Sequence, residues 1–269
     1  MMKRIRTALC LILAAALLAG CTLLPSESEP EASSPADPLT GHPLEWPGQR
    51  PVAVTIENST ASTTQWGISS ASVVLEALTE AGMPTELCLV YPALAATPKV
   101  GPVAAGQDIY WRLLVGQQPL PVQRGGGQFD QNYLDYYSIR AVDALEAGRT
   151  AFDCGSEWSN APLWYTSGSA ISKVLDALSI SAALTESRVT SAASAAAASA
   201  SSGSDAVLTV PALLPQEENG KLPDATAPDA VNVRVCFDDN NATGFVYDPD
   251  SGLYRMLHAD GTPQLDANN

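Results

Sequence analysis

The segment Arg50 to Asn58, RPVAVTIEN, constrains the fold more than any other stretch of this chain. Its β-branched, nearly continuous apolar character reads as a strand. From there the pattern alternates. SSASVVLEALTEAG (69–82) has an apolar stripe at Val73, Val74, Leu75 and Leu78, a serine at its start and Gly82 with Pro84 at its end, so it reads as a helix. TELCLVYP (85–92) reads as a second strand, GQDIYWRLLVGQ (106–117) as a helix and LPVQR (120–124) as a short strand. QFDQNYLDYY (128–137) reads as a helix, and SIRAVDAL (138–145) fits either state. GSAISKVLDALSISAAL (168–184) reads as an amphipathic helix with Ile171, Val174, Leu175 and Leu178 on one side. Strands alternating with helices predict an α/β domain: a mixed sheet with flanking helices and at least some parallel pairing.

Composition then shifts. Residues 186–228 include the Ala/Ser-rich run TSAASAAAASASSGSDA and read as a linker and connecting segment. Beyond it, VNVRVCFDD and TGFVYDPDSGLYRML read as antiparallel strands joined by turns at 239–241 and 248–252. The expected organisation is an α/β domain over 38–185 and a smaller, mostly β unit over 229–269. That β unit lacks a closing element and so reads as partial.

The other end of the chain speaks to location. Lys3, Arg4 and Arg6 form a positive n-region, and Leu9 to Leu18 an apolar h-region shorter than the roughly 20 residues a membrane span needs. Residues 1–20 therefore read as a signal peptide. Leu18-Ala19-Gly20-Cys21 resembles the bacterial lipobox, which implies a diacylglycerol thioether on Cys21 and cleavage before it. The small pair before Cys21 lets a peptidase draw in extended backbone. Each buried methylene of such an anchor contributes about 0.8 kcal/mol, and two chains hold firmly. Residues 21–37, rich in Ser, Pro and Glu, have too little apolar surface to offset ordering entropy and read as a disordered tether.

Charge excludes one class of partner. The chain carries 14 basic and 29 acidic residues, net −15. Losing Lys3, Arg4 and Arg6 with the leader leaves 11 against 29, or −18. A body so acidic repels nucleic acid. The expected partners are the membrane, through the N-terminal lipid, and an envelope protein or a small-molecule ligand.

Once Cys10 leaves with the signal and Cys21 carries lipid, Cys88, Cys154 and Cys236 remain. Cys88 and Cys236 sit in apolar runs and read as small buried hydrophobes. Cys154, in DCGSEW, reads as the most exposed thiol, and one disulfide is left open. With His42 and His258 the only histidines, no zinc site is expected, and no cofactor motif is present.

Several segments in order resemble the N-terminal domain of YerB-like bacterial lipoproteins: PLTG (38–41), RPVAVTIEN (50–58), QWGISSASVVLEAL (65–78), VGPV (100–103) and APLWYTS (161–167). YDPDSGLYR (247–255) with DGTPQLD (260–266) resembles the start of that family's C-terminal domain. The resemblance implies a fold and an extracytoplasmic location, and no settled reaction. It also implies arginines near Thr85, Ala104 and Gln107 and a His-Asn pair where Leu163-Trp164 stand, so this chain is a divergent member with less positive charge.

Candidate chemistry is sparse. Glu57 and Asn58 end the first strand, and with Glu76 they are candidate ligand-binding residues at the carboxyl edge of a sheet. The plainer reading makes Asn58 a turn cap and Glu76 a solvated or paired helix residue. Gly125, Gly126 and Gly127, between a strand and a helix, could offer backbone N–H groups to an anion. They lack the Lys-Ser/Thr ending of a phosphate-binding loop, and a tight turn is the plainer reading. DPDSG (248–252) departs from calcium-loop spacing and fits a β-turn. Tyr133, Tyr136, Tyr137, Trp158, Trp164 and Tyr165 fit either a contact surface or core packing. No G-x-S-x-G elbow or S-x-x-K pair is present. The sequence therefore points to a non-catalytic binding or scaffold module at the cell envelope, with an envelope hydrolase as the alternative. A third possibility is a member that keeps the fold and has lost its family's ligand.

Overall fold

The structure, a computed structural model, describes residues 35–58, 64–154, 163–184, 210–214 and 229–268. Cys21, Trp158, the signal segment, residues 21–34 of the tether and the Ala/Ser run lie outside these described residues, whereas Asp37, at the end of the tether, is buried and bonded to His42 O.

Strand β1 (Val52–Glu57) is central to a five-stranded mixed sheet. On one side it pairs antiparallel with β3 (Glu86–Tyr91), with Val54 opposite Leu89. On the other it pairs parallel with β4 (Leu120–Gln123), with Val54 opposite Val122. β2 (Val73–Ala77) adds antiparallel to β3, and the two-residue β5 (Val142–Asp143) adds parallel to β4, for the order β2-β3-β1-β4-β5.

A central strand buried on both faces needs apolar residues at every position, which is why its run is continuous. Val52, Val54 and Ile56 enter one core with Leu87, Leu89, Val122, Phe152, Ile171 and Val174. Ala53 enters a second core with Cys88, Val90, Tyr110, Trp111, Leu114 and Leu134. The second core is roofed by α1 (Asp108–Leu114) and α2 (Gln128–Tyr136). Two short helices complete this part, α3 (Ala144–Ala147), capped by the Asp143 side chain, and α4 (Gly168–Ile171), capped by Ser167.

Two helices expected from the sequence form differently. Within 69–82 only a single 3-10 turn, Ile68–Ser70, is helical, and Val73–Ala77 is strand. Adjacent Val73 and Val74 are stiff at χ1 and suit a pleated surface, and β3 presents them a row of backbone partners, Val73 to Val90 and Val74 to Leu89. Gly82 ends no helix: the strand stops at Ala77, and Gly82 lies in the turn that follows, at φ +79°. Within 168–184 the regular helix ends at Ile171 and turns follow. Val174 bonds back to Ile171 and Ile180 to Leu175, a mixture of spacings. Ile171, Val174 and Leu175 are nonetheless buried, so the apolar pattern reports the core-facing side correctly.

The C-terminal part is a separate antiparallel sheet, β6 (Asn232–Cys236), β7 (Ala242–Asp248) and β8 (Leu253–Leu257), in that order. All of β6 is exposed. The three described cysteines are free. Cys88 is buried as expected, but the other two reverse expectation: Cys154 is buried and Cys236, on the exposed β6, is not. The apolar alternation of VRVC reflects strand propensity on an edge strand rather than burial.

Candidate functional site

Glu57 and Glu86 face each other across the β1–β3 ladder, at the end where β1 stops and β3 begins. One residue further, Asn58 and Thr85 fall on the opposite face of the pleat. The Asn58 amide donates to Thr85 Oγ1 (2.8 Å) and to Glu76 Oε1 (3.2 Å). Thr85 in turn donates to the same Glu76 oxygen (2.6 Å), as does Thr243 of β7 (2.7 Å). Glu76 is thus brought to Asn58, and it sits on a strand rather than a helix. One carboxylate oxygen gathers three donors from three segments, and Asn58 Oδ1, buried, has no hydrogen-bond partner.

At this end of the sheet Glu57, Asn58, Glu80, Glu86 and Gln107 border a cleft of about 460 Å³ whose wall continues through Met83, Pro84 and Thr85. Burial pushes the Glu86 carboxyl up to about 7, the Gln107 side chain pulls it down, and the Glu57 carboxylate adds a smaller upward push. Glu86 Oε2 has no hydrogen-bond partner. Arg124 approaches Glu57 at 3.7 Å. Thr85 and Gln107, two of the positions where the resemblance implies arginine, both border the cleft; Ala104 does not.

The glycine loop is engaged within the protein. The Gly125 N–H donates to both oxygens of Asp143 (2.9 and 3.1 Å). A Cβ on Gly126 would collide with the Asp130 carboxylate. That carboxylate, 2% exposed, is held by Trp111 Nε1 (2.5 Å) and Gln123 Nε2 (3.0 Å). Gly127 is the extended residue just before α2. Arg124, adjacent to the glycines, is their link to Glu57.

Of the aromatic residues, Tyr133 is buried, while Tyr136 and Tyr137 are exposed and stacked edge to face. Trp164 packs on Phe152, and Tyr165 flanks Lys99, whose ammonium lies 3.8 Å from the Trp66 ring centroid. Among the described residues no group of three or more His, Cys, Asp or Glu could hold a metal ion, and no helix is long and apolar enough to cross a membrane.

Sequence reasoning missed Glu80, Glu86 and Thr243 as neighbours of the site. Glu86 carried a signal, a carboxylate at the mouth of an apolar strand; Thr243 carried none, being 167 positions from Glu76.

Fold and site together define an α/β domain built on a five-stranded mixed sheet, with an acidic cleft at one end and a three-stranded antiparallel sheet following. The chain belongs to the family described as "Protein of unknown function (DUF3048) N-terminal domain", whose model matches residues 39–181. The YerB protein from Bacillus subtilis has a similar solved structure: TM-score 0.66 at 22% sequence identity, covering 87% of this chain and 70% of that one. At that identity the likeness is one of fold. Among curated proteins none matches the chain.

Proposed function

We propose that the protein is a lipid-anchored, extracytoplasmic binding or scaffold module of the bacterial cell envelope, held to the membrane through Cys21. The observation that carries the binding role is the cleft bordered by Glu57, Glu80 and Glu86 at the end of the central strands. Three acidic side chains, with Arg124 of the described residues paired to one of them, disfavour an anion and suit a neutral polar or positively charged ligand. The leader and the Leu18–Cys21 motif support the anchor.

The test for the anchor is Cys21→Ala in the native host. The variant should be released or left unprocessed and should no longer take up labelled palmitate. Retention and labelling equal to the parent would refute it.

A hydrolase is the second reading, favoured by one observation. Burial raises the Glu86 carboxyl to about 7, the range of a general acid, and it faces Glu57 across the β1–β3 ladder. Incubation of the full chain with purified envelope glycan separates the two. Turnover by the parent that is lost in Glu86→Gln supports the hydrolase, whereas saturable binding without turnover supports the module.

A further inference from the structure

The C-terminal sheet touches the N-terminal one through a few polar pins, and these fall at both ends of β2. Before β2, Asp266 Oδ1 accepts from the Gly67 N–H (3.0 Å), and Asp266 Oδ2 accepts from the Ser69 N–H (2.9 Å) and the Ser69 hydroxyl (2.6 Å). Flanking it, Ala267 N–H donates to Gln65 O (2.9 Å) and the Asn268 amide to Lys99 O (3.0 Å). After β2, the Asn241 amide donates to Met83 O (2.9 Å), and the Gly82 N–H donates weakly to Asp238 (3.4 Å). Near the end of β2, Thr243 holds Glu76.

Of the apolar C-terminal residues, Met256 packs against the first core while only partly buried, and Ala242 is buried. The five-stranded sheet has two cores of its own, so the C-terminal unit can leave without dissolving them.

We infer that the C-terminal sheet is a clamp on β2, locked at one end by Asp266 on Gly67 and Ser69 and at the other by Asn241 on Met83, and that it opens and closes as one body. Met83, Pro84 and Thr85 belong to the wall of the acidic cleft, so the clamp sets how freely that wall moves. The bearing on ligand access rests on the cleft being the binding site; the clamp itself rests only on the hydrogen bonds.

Amide hydrogen exchange on the full chain tests this, comparing the parent with Asp266→Asn and Asn241→Ala. A one-body clamp requires each variant to raise exchange about tenfold or more in both 67–71 and 79–85, including the segment its own residue does not touch. β3, at 86–91, should exchange at the parent rate. Two results would overturn the clamp: each variant loosening only its own contact, or β3 rising by the same factor as the two segments. If Asp266→Asn does not fold, Ser69→Ala removes one of the three bonds to that carboxylate and is judged by the same three segments. If the clamp passes and cleft binding then fails, the binding reading alone is lost.

Discussion

The hydroxyl of Thr243, on the second strand of the C-terminal sheet, donates to Glu76 Oε1 at 2.7 Å, on the edge strand of the N-terminal sheet. Asn58 and Thr85 reach the same oxygen. The end of the central sheet is therefore organised by a carboxylate from an edge strand and a hydroxyl supplied from far along the chain. Hydrogen bonds to a charged acceptor contribute about 1.5–3 kcal/mol. Thr243→Val keeps the shape and removes the donor. It should cost about 1–2 kcal/mol, because Thr85 and Asn58 still hold Glu76, read as a fall in the urea midpoint without a change in slope. An unchanged midpoint would show that the contact contributes nothing net.

Glu86 gives a pH dependence of defined sign. Its carboxyl is raised from 4.5 to about 7 in the folded protein, so the folded state holds the proton more tightly than the unfolded chain. Its contribution is fully present below about 4.5 and is lost as pH rises through 7. Glu86→Gln cannot ionise and should abolish that part of the profile. Allowing for solvent screening, the variant should gain about 2 kcal/mol on the parent between pH 4.5 and 8. Urea unfolding at the two pH values measures it; parallel profiles would contradict the assignment.

The glycine loop separates two neighbours. Gly126→Ala drives a methyl into the Asp130 carboxylate, which Trp111 and Gln123 hold in place, and should cost about 1–3 kcal/mol with a change in Trp111 fluorescence. Gly127, at φ −74° with nothing near its Cβ position, should accept alanine without loss. Equal behaviour of the two would mean that the Asp130 packing does not define this turn.

Leu89 has zero exposure and lies opposite both Val54 and Val74, so it spans three strands. Leu89→Ala should destabilise by about 2–5 kcal/mol, checked by thermal or urea unfolding.

What the sequence revealed follows from what each segment depends on. VAVTIE and ELCLVY are strands from composition alone, because a strand covered on both faces must be apolar throughout. VVLEA reads equally as helix, because its apolar spacing also fits that period. The deciding factor was the unpaired side of β3, a tertiary fact. The stretch after Ile171 departs from helix for a related reason: its apolar positions are set by what they bury, while the backbone between them takes turns. At the site, Asn58 and Glu76 were legible as polar residues near a strand end, and their hydrogen bond was not, since it needs β2 to be a strand. Cys236 is exposed because β6 is an uncovered edge strand, a tertiary fact that its apolar neighbours do not carry.

Mass spectrometry of the mature N-terminal peptide from native membranes tests the anchor itself. The peptide should begin at Cys21 and carry a diacylglycerol thioether on its sulfur. A peptide with that thiol free, or a product that retains residues 1–20 in the cytosol, would contradict it.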